Sequence, residues 1–340
     1  MDKYHKYMRL SYIEKAEIIR TVTRSELGVN QTLLRLGIHK RTFYNWYHRY
    51  AMYGEEGLKP RRESKQQWNA LPQEVKNLVA EVALEHTELS SREIATKIID
   101  EQSVFISESS VYRILKANGL IQLPEHIFIQ AADEYHTKTA FANEMWQTDF
   151  TYFKIIGWGW YYLSTVIDDH SRYIVHWELC ENMKKEDVKR TIERAMEKTK
   201  LSKANAPKLL SDNGSCYIAK DLGEYLKTNF AMEQIHGAPC HPQTQGKIER
   251  YHRSMKNVVK LQHYYSPSEL NDAIGRWVEY YNNCRYHESL DNLTPSDVYF
   301  GRGEQIIKQR QLIKLKSIEE RRRNYYQNKL KITLNLQNQN

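Results

Sequence analysis

At Asn143 the hydrophobic pattern of this 340-residue chain changes period, and that change limits what the chain can fold into more than any other feature. Before it, apolar residues recur every three or four positions. After it, Trp146, Thr148, Phe150 and Tyr152 alternate with Gln147, Asp149, Thr151 and Phe153, the pattern of a strand whose two faces meet different surroundings. Gly157-Trp158-Gly159 is a turn, Trp160 to Ile167 a second, mostly apolar strand, Asp168 to Ser171 another turn, and Tyr173 to Leu179 a third strand. Three strands on short loops make an antiparallel meander. A helix from Lys185 to Thr199, a short strand from Lys208 to Ser211 ending on Asp212-Asn213-Gly214, a helix of about Asp221 to Phe230, a strand from Met232 to His236 and a helix from Lys247 follow. This order predicts an α/β fold with a mixed five-stranded sheet, whose strand-end loops are where such folds carry sites.

The stretch before Asn143 is helical. Ile13, Ile18, Ile19 and Val22 mark one helix, Leu27 and Leu33 to Leu36 a second, and after Gly37-Ile38 a third starts at His39 or Lys40. The third carries Lys40, Arg41, Thr42, Tyr44, Asn45 and His48 outside, with Phe43, Trp46 and Tyr47 as its packing, which is a helix-turn-helix pattern whose polar face suits a major groove. A basic run from Tyr53 to Gln66, with Arg61 and Arg62, reads as a linker able to lie along phosphates. A second trihelical segment then follows, through Val75, Leu78, Val79 and Val82, a serine-capped helix about Ser91 to Ala95, and a helix from Val111 to Lys116 capped by the Ser107–Ser110 run and stopped at Asn118-Gly119. Ser109 and Arg113 are its candidate DNA contacts.

Charge supports a polyanionic partner. Residues 1–65 hold 14 Lys/Arg against 7 Asp/Glu and residues 305–331 hold 9 against 2, so with a total of +8 the rest of the chain sums to −6. Two basic ends around a mildly acidic middle suit a nucleic-acid-binding protein with a metal-dependent centre. No apolar run reaches the ~20 residues that span a bilayer and no signal-peptide core opens the chain, so no membrane partner and a cytoplasmic location are expected. Cys180, Cys216, Cys240 and Cys284 form no CxxC pair and are expected to be reduced and structural.

From His241 to Lys260 the chain reads HPQTQGKIERYHRSMKNVVK, a loop through Gly246 and then a helix. Ile248, Tyr251, Met255 and Val258 predict its buried face, and Glu249, Arg253, Lys256 and Lys260 share another. The ordinary reading of Glu249 is a surface ion pair. Two other acids, Asp149 and Asp212, also sit on predicted strand ends, and three carboxylates suit Mg²⁺, a hard cation that leaves its remaining positions to water and phosphate. Two such ions activate the attacking oxygen and stabilise the leaving one in phosphodiester chemistry. Lys247, Arg250, His252 and Arg253 would hold the phosphates nearby.

These motifs carry a family resemblance. Trp146-Gln-Thr-Asp149, Val166-Ile-Asp-Asp169-His-Ser-Arg172, Ser211-Asp-Asn-Gly214, His241-Pro-Gln-Thr-Gln-Gly-Lys-Ile-Glu249-Arg and Tyr281-Asn-Asn-Cys-Arg285-Tyr-His287-Glu-Ser-Leu resemble the integrase core of bacterial insertion-sequence transposases, of the insertion-sequence-three type. The resemblance spans residues 143 to 300 and extends to the tandem helix-turn-helix units. It implies an RNase H-like core with Asp149, Asp212 and Glu249 as catalytic and metal-binding residues, with Mg²⁺ as a two-metal cofactor for which Mn²⁺ substitutes. Between Asp212 and Glu249 lie 36 residues, one more than the family's usual interval. The implied partners are double-stranded DNA, as element ends and as target, and further copies of the chain in a dimer or higher assembly. The implied location is a bacterial, nucleoid-associated one.

The domains expected on this reading are a helix-turn-helix domain (1–52), a basic linker (53–70), a second helix-turn-helix domain (71–120), a connector (121–142), the RNase H-like catalytic core (143–264) and a helical C-terminal region (265–340), whose basic stretch from Gln305 to Lys331 predicts an amphipathic helix. Asp168 and Asp169 read as a structural turn, and His241, His252 and His287 as solvated or phosphate-contacting. A tyrosine recombinase would need Arg and His gathered around one tyrosine, and the sequence identifies no such cluster about Tyr162, Tyr280 or Tyr281. Two rivals share parts of the pattern: a non-catalytic DNA-binding regulator, and an RNase H-type nuclease, which would leave the helix-turn-helix units unexplained.

Overall fold

The structure is a computed structural model that describes residues 10–25, 27–59, 67–121, 139–236 and 246–337. Arg61, Arg62, Cys240, His241 and the loop to Gln245, with residues 60–66 of the expected linker and 122–138 of the expected connector, lie outside the described residues. Contacts divide the chain into two units, residues 1–127 with 308–340 and residues 128–307.

In the first unit α1 (Tyr12–Arg24) opens on a capping box: the Glu14 amide donates to Ser11 Oγ at 3.2 Å and the Ser11 amide to the Glu14 carboxylate at 2.7 Å. With α2 (Val29–Arg35) and α3 (Lys40–Tyr53) it buries Ala16, Ile19, Val22, Leu33 and Phe43. Tyr47, expected to pack inward, is exposed, because Phe43 already fills that face. A 3₁₀ turn, Gly54–Leu58, returns to this core and leaves Leu58 only 1% exposed. The turn lies so close to α3 that a Cβ on Gly57 would stand 2.3 Å from the Arg49 carbonyl oxygen. Residues 53–58, read as linker from their charges, are therefore held by one apolar side chain, whose burial is worth roughly 1.5–3 kcal/mol. A second trihelical group, α4 (Gln73–Glu85), α5 (Ser91–Gln102) and α6 (Glu108–Ala117), closes over Val79, Ile94, Ile98, Val111 and Leu115, with Ser90 and Ser107 as N-caps.

The second unit is built on a sheet of order β3-β2-β1-β4-β5. β1 (Met145–Ile155), β2 (Gly159–Asp168) and β3 (Ile174–Cys180) form the antiparallel meander; β4 (Lys208–Ser211) and β5 (Gln234–His236) join it in parallel. One face buries Trp146, Val166 and Val175 under α7 (Lys185–Thr199), the short α8 (Ser215–Ile218) and α9 (Lys220–Phe230). The other buries Leu163, Ile167 and Ile174 under α10 (Gly246–Val259) and α11 (Pro267–Asn283), with α12 (Pro295–Tyr299) following. This is the mixed α/β sandwich expected from the element order. Among the described α-helices, α8 lacked a sequence signal, since four residues are too few to show a period.

α13 (Gly303–Gln337) starts in the second unit, and from Lys308 onward it belongs to the first. It is helical as expected and basic, but it has no single apolar face: Ile306, Ile307, Leu312, Ile313, Leu315 and Ile318 point in all directions around the axis, and Leu312 and Leu315 are exposed. Polar contacts hold it instead. Arg310 makes a two-pronged pair with Asp100 at 2.6 and 2.7 Å, the Phe105 amide donates to Ser317 Oγ at 3.0 Å, and Arg322 lies 5.0 Å over the Trp68 ring.

Candidate active site

Strand pairing sets the first two acids. Met145, Trp146 and Gln147 of β1 pair with Lys208, Leu209 and Leu210 of β4, and the same parallel register carried two residues further brings Asp149 level with Asp212. The Phe150 amide donates to Asp149 Oδ1 at 2.8 Å, and the Gly214 amide donates to Asp212 Oδ1 at 2.9 Å. At Gly214 a Cβ would stand 2.9 Å from that same oxygen, so the Asp-Asn-Gly loop needs glycine to fold over the carboxylate. Burial, and then the Asp212 and Asp149 charges, push the Cys216 thiol up to about 11, so both carboxylates act on one spot beneath α8.

Glu249 arrives from the other side. It is exposed on the first turn of α10 and shares an open cleft of about 1230 Å³ with Asp149, Tyr152, His252, Arg253 and Lys256. That first turn is pinned to the sheet from below. Buried Gln147 accepts from the Ile248 amide at 3.2 Å, satisfying one of the helix's orphan donors, and donates to Asp169 at 2.7 Å. Lys247 closes the anchor by pairing with the Asp169 carboxylate at 2.7 Å and its carbonyl at 2.9 Å. Asp149 is thus the common member, level by register with Asp212 just past the end of β4 and sharing its cleft with Glu249. The three do not close into one cage: among the described residues no group of three or more His, Cys, Asp or Glu stands ready to hold a metal ion.

Several side chains differ from their expected roles. His252, read as solvated or phosphate-contacting, is 5% exposed; its Nδ1 lies 3.4 Å from the Asp149 carboxylate and its Nε2 3.3 Å from Thr165 Oγ1. One residue of helical drift places Val259, not Val258, in the core, leaving Val258 48% exposed. Lys247 is committed to Asp169 and Arg250 lies away from the carboxylate cleft, whereas Arg253 lines it. Lys256 reaches over the Tyr152 ring at 4.6 Å, where burial and the neighbouring Lys260 lower its pKa. Lys40, Arg41, Thr42 and Asn45 are exposed on α3, and Ser109 and Arg113 on α6, where the Arg113 Nε donates to the Ser109 carbonyl at 2.9 Å. Of the cysteines, Cys180 and Cys216 are buried and free, while Cys284 is free and exposed.

The Asp168-Asp169 turn behaves as its sequence suggested. Asp168 accepts from the Ser171 hydroxyl at 2.6 Å, the Ser171 amide at 2.8 Å and the Asn143 amide at 2.7 Å, while burial raises its pKa. The cluster that spacing could not reveal is around Tyr281: Arg172, Arg250, Arg285 and His287 all border it. Tyr281 is buried, and burial, opposed by Arg172, Arg285 and Arg250, pushes its hydroxyl up to about 12, which makes it a poor nucleophile.

Residues 140–242 and 231–295 match models of the integrase core domain, residues 14–65 a helix-turn-helix domain and residues 42–115 a homeodomain-like domain. The chain is 30% identical over 154 residues to a putative transposase for insertion sequence element IS150 from Escherichia coli K12, covering 45% of this chain and 53% of that one. It is 26% identical over 157 residues to the transposase for insertion sequence element IS629 from Shigella sonnei, covering 46% and 51%. The chain therefore spans about half the length of these curated relatives. The catalytic core domain of BIV integrase aligns with a TM-score of 0.37 at 20% identity, covering 48% of this chain and 97% of that domain. No helix among the described residues is long and apolar enough to cross a membrane.

Proposed function

We propose that this chain is an insertion-sequence transposase with an integrase core, and that it cleaves and joins DNA at the terminal inverted repeats of its own mobile element; the integrase-core matches and the similarity to two bacterial transposases support this reading. Asp149, Asp212 and Glu249 are its catalytic carboxylates and metal ligands. Their oxygens are the donors that hard Mg²⁺ takes, with Mn²⁺ as a substitute, and among the described residues one backbone amide on each of Asp149 and Asp212, with His252 beside Asp149, leaves further lone pairs on both. When bound, a pair of such ions supplies Lewis-acid stabilisation of both the attacking and the leaving oxygen.

The chain's own residues do the rest. Arg253, Lys256 and Lys260 line the cleft and neutralise the phosphates that enter it. His252 orients Asp149, while Gln147, Asp169 and Lys247 hold Glu249 in place through the first turn of α10. Water, and then the freed 3′-hydroxyl, is the nucleophile, with no covalent protein intermediate. The α3 and α6 surfaces read the element ends, and two or more copies synapse the ends in the bacterial cytoplasm, on the nucleoid.

The observation that supports this reading best is the strand register that levels Asp149 with Asp212 while Asp149 shares its cleft with Glu249. Mg²⁺-dependent cleavage of a duplex carrying the element end tests it. Glu249→Gln is expected to bind that duplex and not cut it. Full cleavage by Glu249→Gln or Asp212→Ala would sink the assignment, and a wild-type chain that binds without cutting would point to a regulator.

A further inference from the structure

One side of α10 carries cations that lie outside the carboxylate cleft. Lys247, Arg250 and Ser254 follow one another at three- and four-residue steps, so they form a stripe about a third of a turn from Glu249, Arg253 and Lys256. That stripe lines a small, partly open pocket that is separate from the carboxylate cleft and is completed by Arg172, Arg285 and His287 over Tyr251 and Tyr281. Among the described residues no acidic one lines it. Lys247 is already paired with Asp169, but Arg250 and Arg285 have no carboxylate partner among the described residues.

The cations are held where they are by the fold. Arg285 lies 5.7 Å from the Trp277 ring centre and 5.9 Å from that of Tyr281, which fixes its plane. Arg172 is 8% exposed and takes a left-handed backbone conformation, φ 63°, costly for a residue with a Cβ; its amide donates to the Asp168 carbonyl at 2.8 Å. Guanidinium groups gathered in this way repel one another, and an anion with several acceptor oxygens removes that repulsion.

We propose that this pocket holds a backbone phosphate of bound DNA, as an anchoring site distinct from the carboxylate cleft and without a part in bond cleavage. The inference rests on the reading of the chain as a DNA-acting enzyme. Arg250 and Arg285 offer paired N–H donors to the phosphate oxygens, and the Ser254 hydroxyl offers another. A helix with its side chains is about 10–12 Å across, so one phosphate does not serve both sites. DNA engaged at the cleft must continue past α10 to fill the pocket.

The test titrates the full-length protein, without metal, with a duplex of unrelated sequence over a series of salt concentrations. Arg250→Gln and Arg285→Gln are each expected to weaken binding several-fold, and together to reduce the slope of log affinity against log salt by about 1, the share of one lost phosphate contact. Lys198→Gln, an exposed charge removal on α7, is the control and leaves the slope alone. Arg250 is exposed, so its variant reports even where loss of the Arg285 stacking lowers the melting temperature. Unchanged affinity and slope in both variants would overturn the proposal, as would a pocket that takes inorganic phosphate while DNA binding is unaffected. A wild-type protein that binds no DNA would instead overturn the reading on which it rests.

Discussion

Two pairs of aspartates sit on or beside the strands of one sheet, Asp168 and Asp169 at the end of β2, Asp149 within β1 and Asp212 just past β4, and their surroundings differ sharply. Asp168 and Asp169 are buried and saturated: Asp168 by Ser171 and Asn143, Asp169 by Thr139, Gln147 and Lys247. Asp149 opens on a cleft and Asp212 is exposed, and each accepts a single backbone amide. Position in the sheet therefore does not distinguish a candidate catalytic acid from a structural one. What distinguishes them is whether the lone pairs are already spent on the protein or remain for an ion and a substrate.

That contrast can be broken by experiment. The largest effect is expected at the open acids, where Asp212→Asn or Glu249→Gln should lower strand cleavage by ~10³ or more, as befits the loss of several kcal/mol of charge stabilisation, with the urea midpoint unchanged. The saturated acids should behave in the opposite way. Asp168→Ala strands three buried donors and is expected to cost about 3 kcal/mol in denaturant unfolding; a fully stable Asp168→Ala that had lost cleavage would erase the distinction. Lys247→Met leaves the Asp169 carboxylate without its cation, and a loss of about 2 kcal/mol is expected, together with weaker cleavage because the turn bearing Glu249 loosens.

A smaller effect sharpens the comparison at another buried acid. Burial tends to raise the pKa of Glu178, but His176 and Arg190, with Arg194 nearby, bring it down to about 2. A carboxylate depressed in the folded state adds stability above its unfolded pKa of ~4.3, and that stability fades as pH falls through about 2. Both arginines are partly solvated, so the contribution is about 1–2 kcal/mol. Unfolding free energy followed from pH 5 downward should fall less steeply in Glu178→Gln than in the wild type, and identical slopes would remove Glu178 from the account.

Local periodicity makes most of the fold readable from consecutive residues. Lys185–Thr199 and Lys208–Ser211 fall where their patterns predict, because capping and apolar spacing act between near neighbours in the chain. The expectations that failed depended on what lies across the molecule. Leu58 has the surroundings of a charged linker in the sequence, yet it fills the core of α1 to α3; His252 has the surroundings of a solvated side chain, yet Asp149 and Thr165 close on it. The cations about Tyr281 come from residues 172, 250, 285 and 287, whose separations in the chain encode nothing about their meeting.

Sequence by itself determined the elements, their order and the candidate acids, since backbone preference and residue chemistry are local. Only the tertiary structure decided which acids are satisfied and which are open, and that the basic residues of α10 divide between two sites. Hydrogen-bond saturation and pocket formation are set by partners that folding brings together from distant parts of the chain, at distances no spacing rule contains.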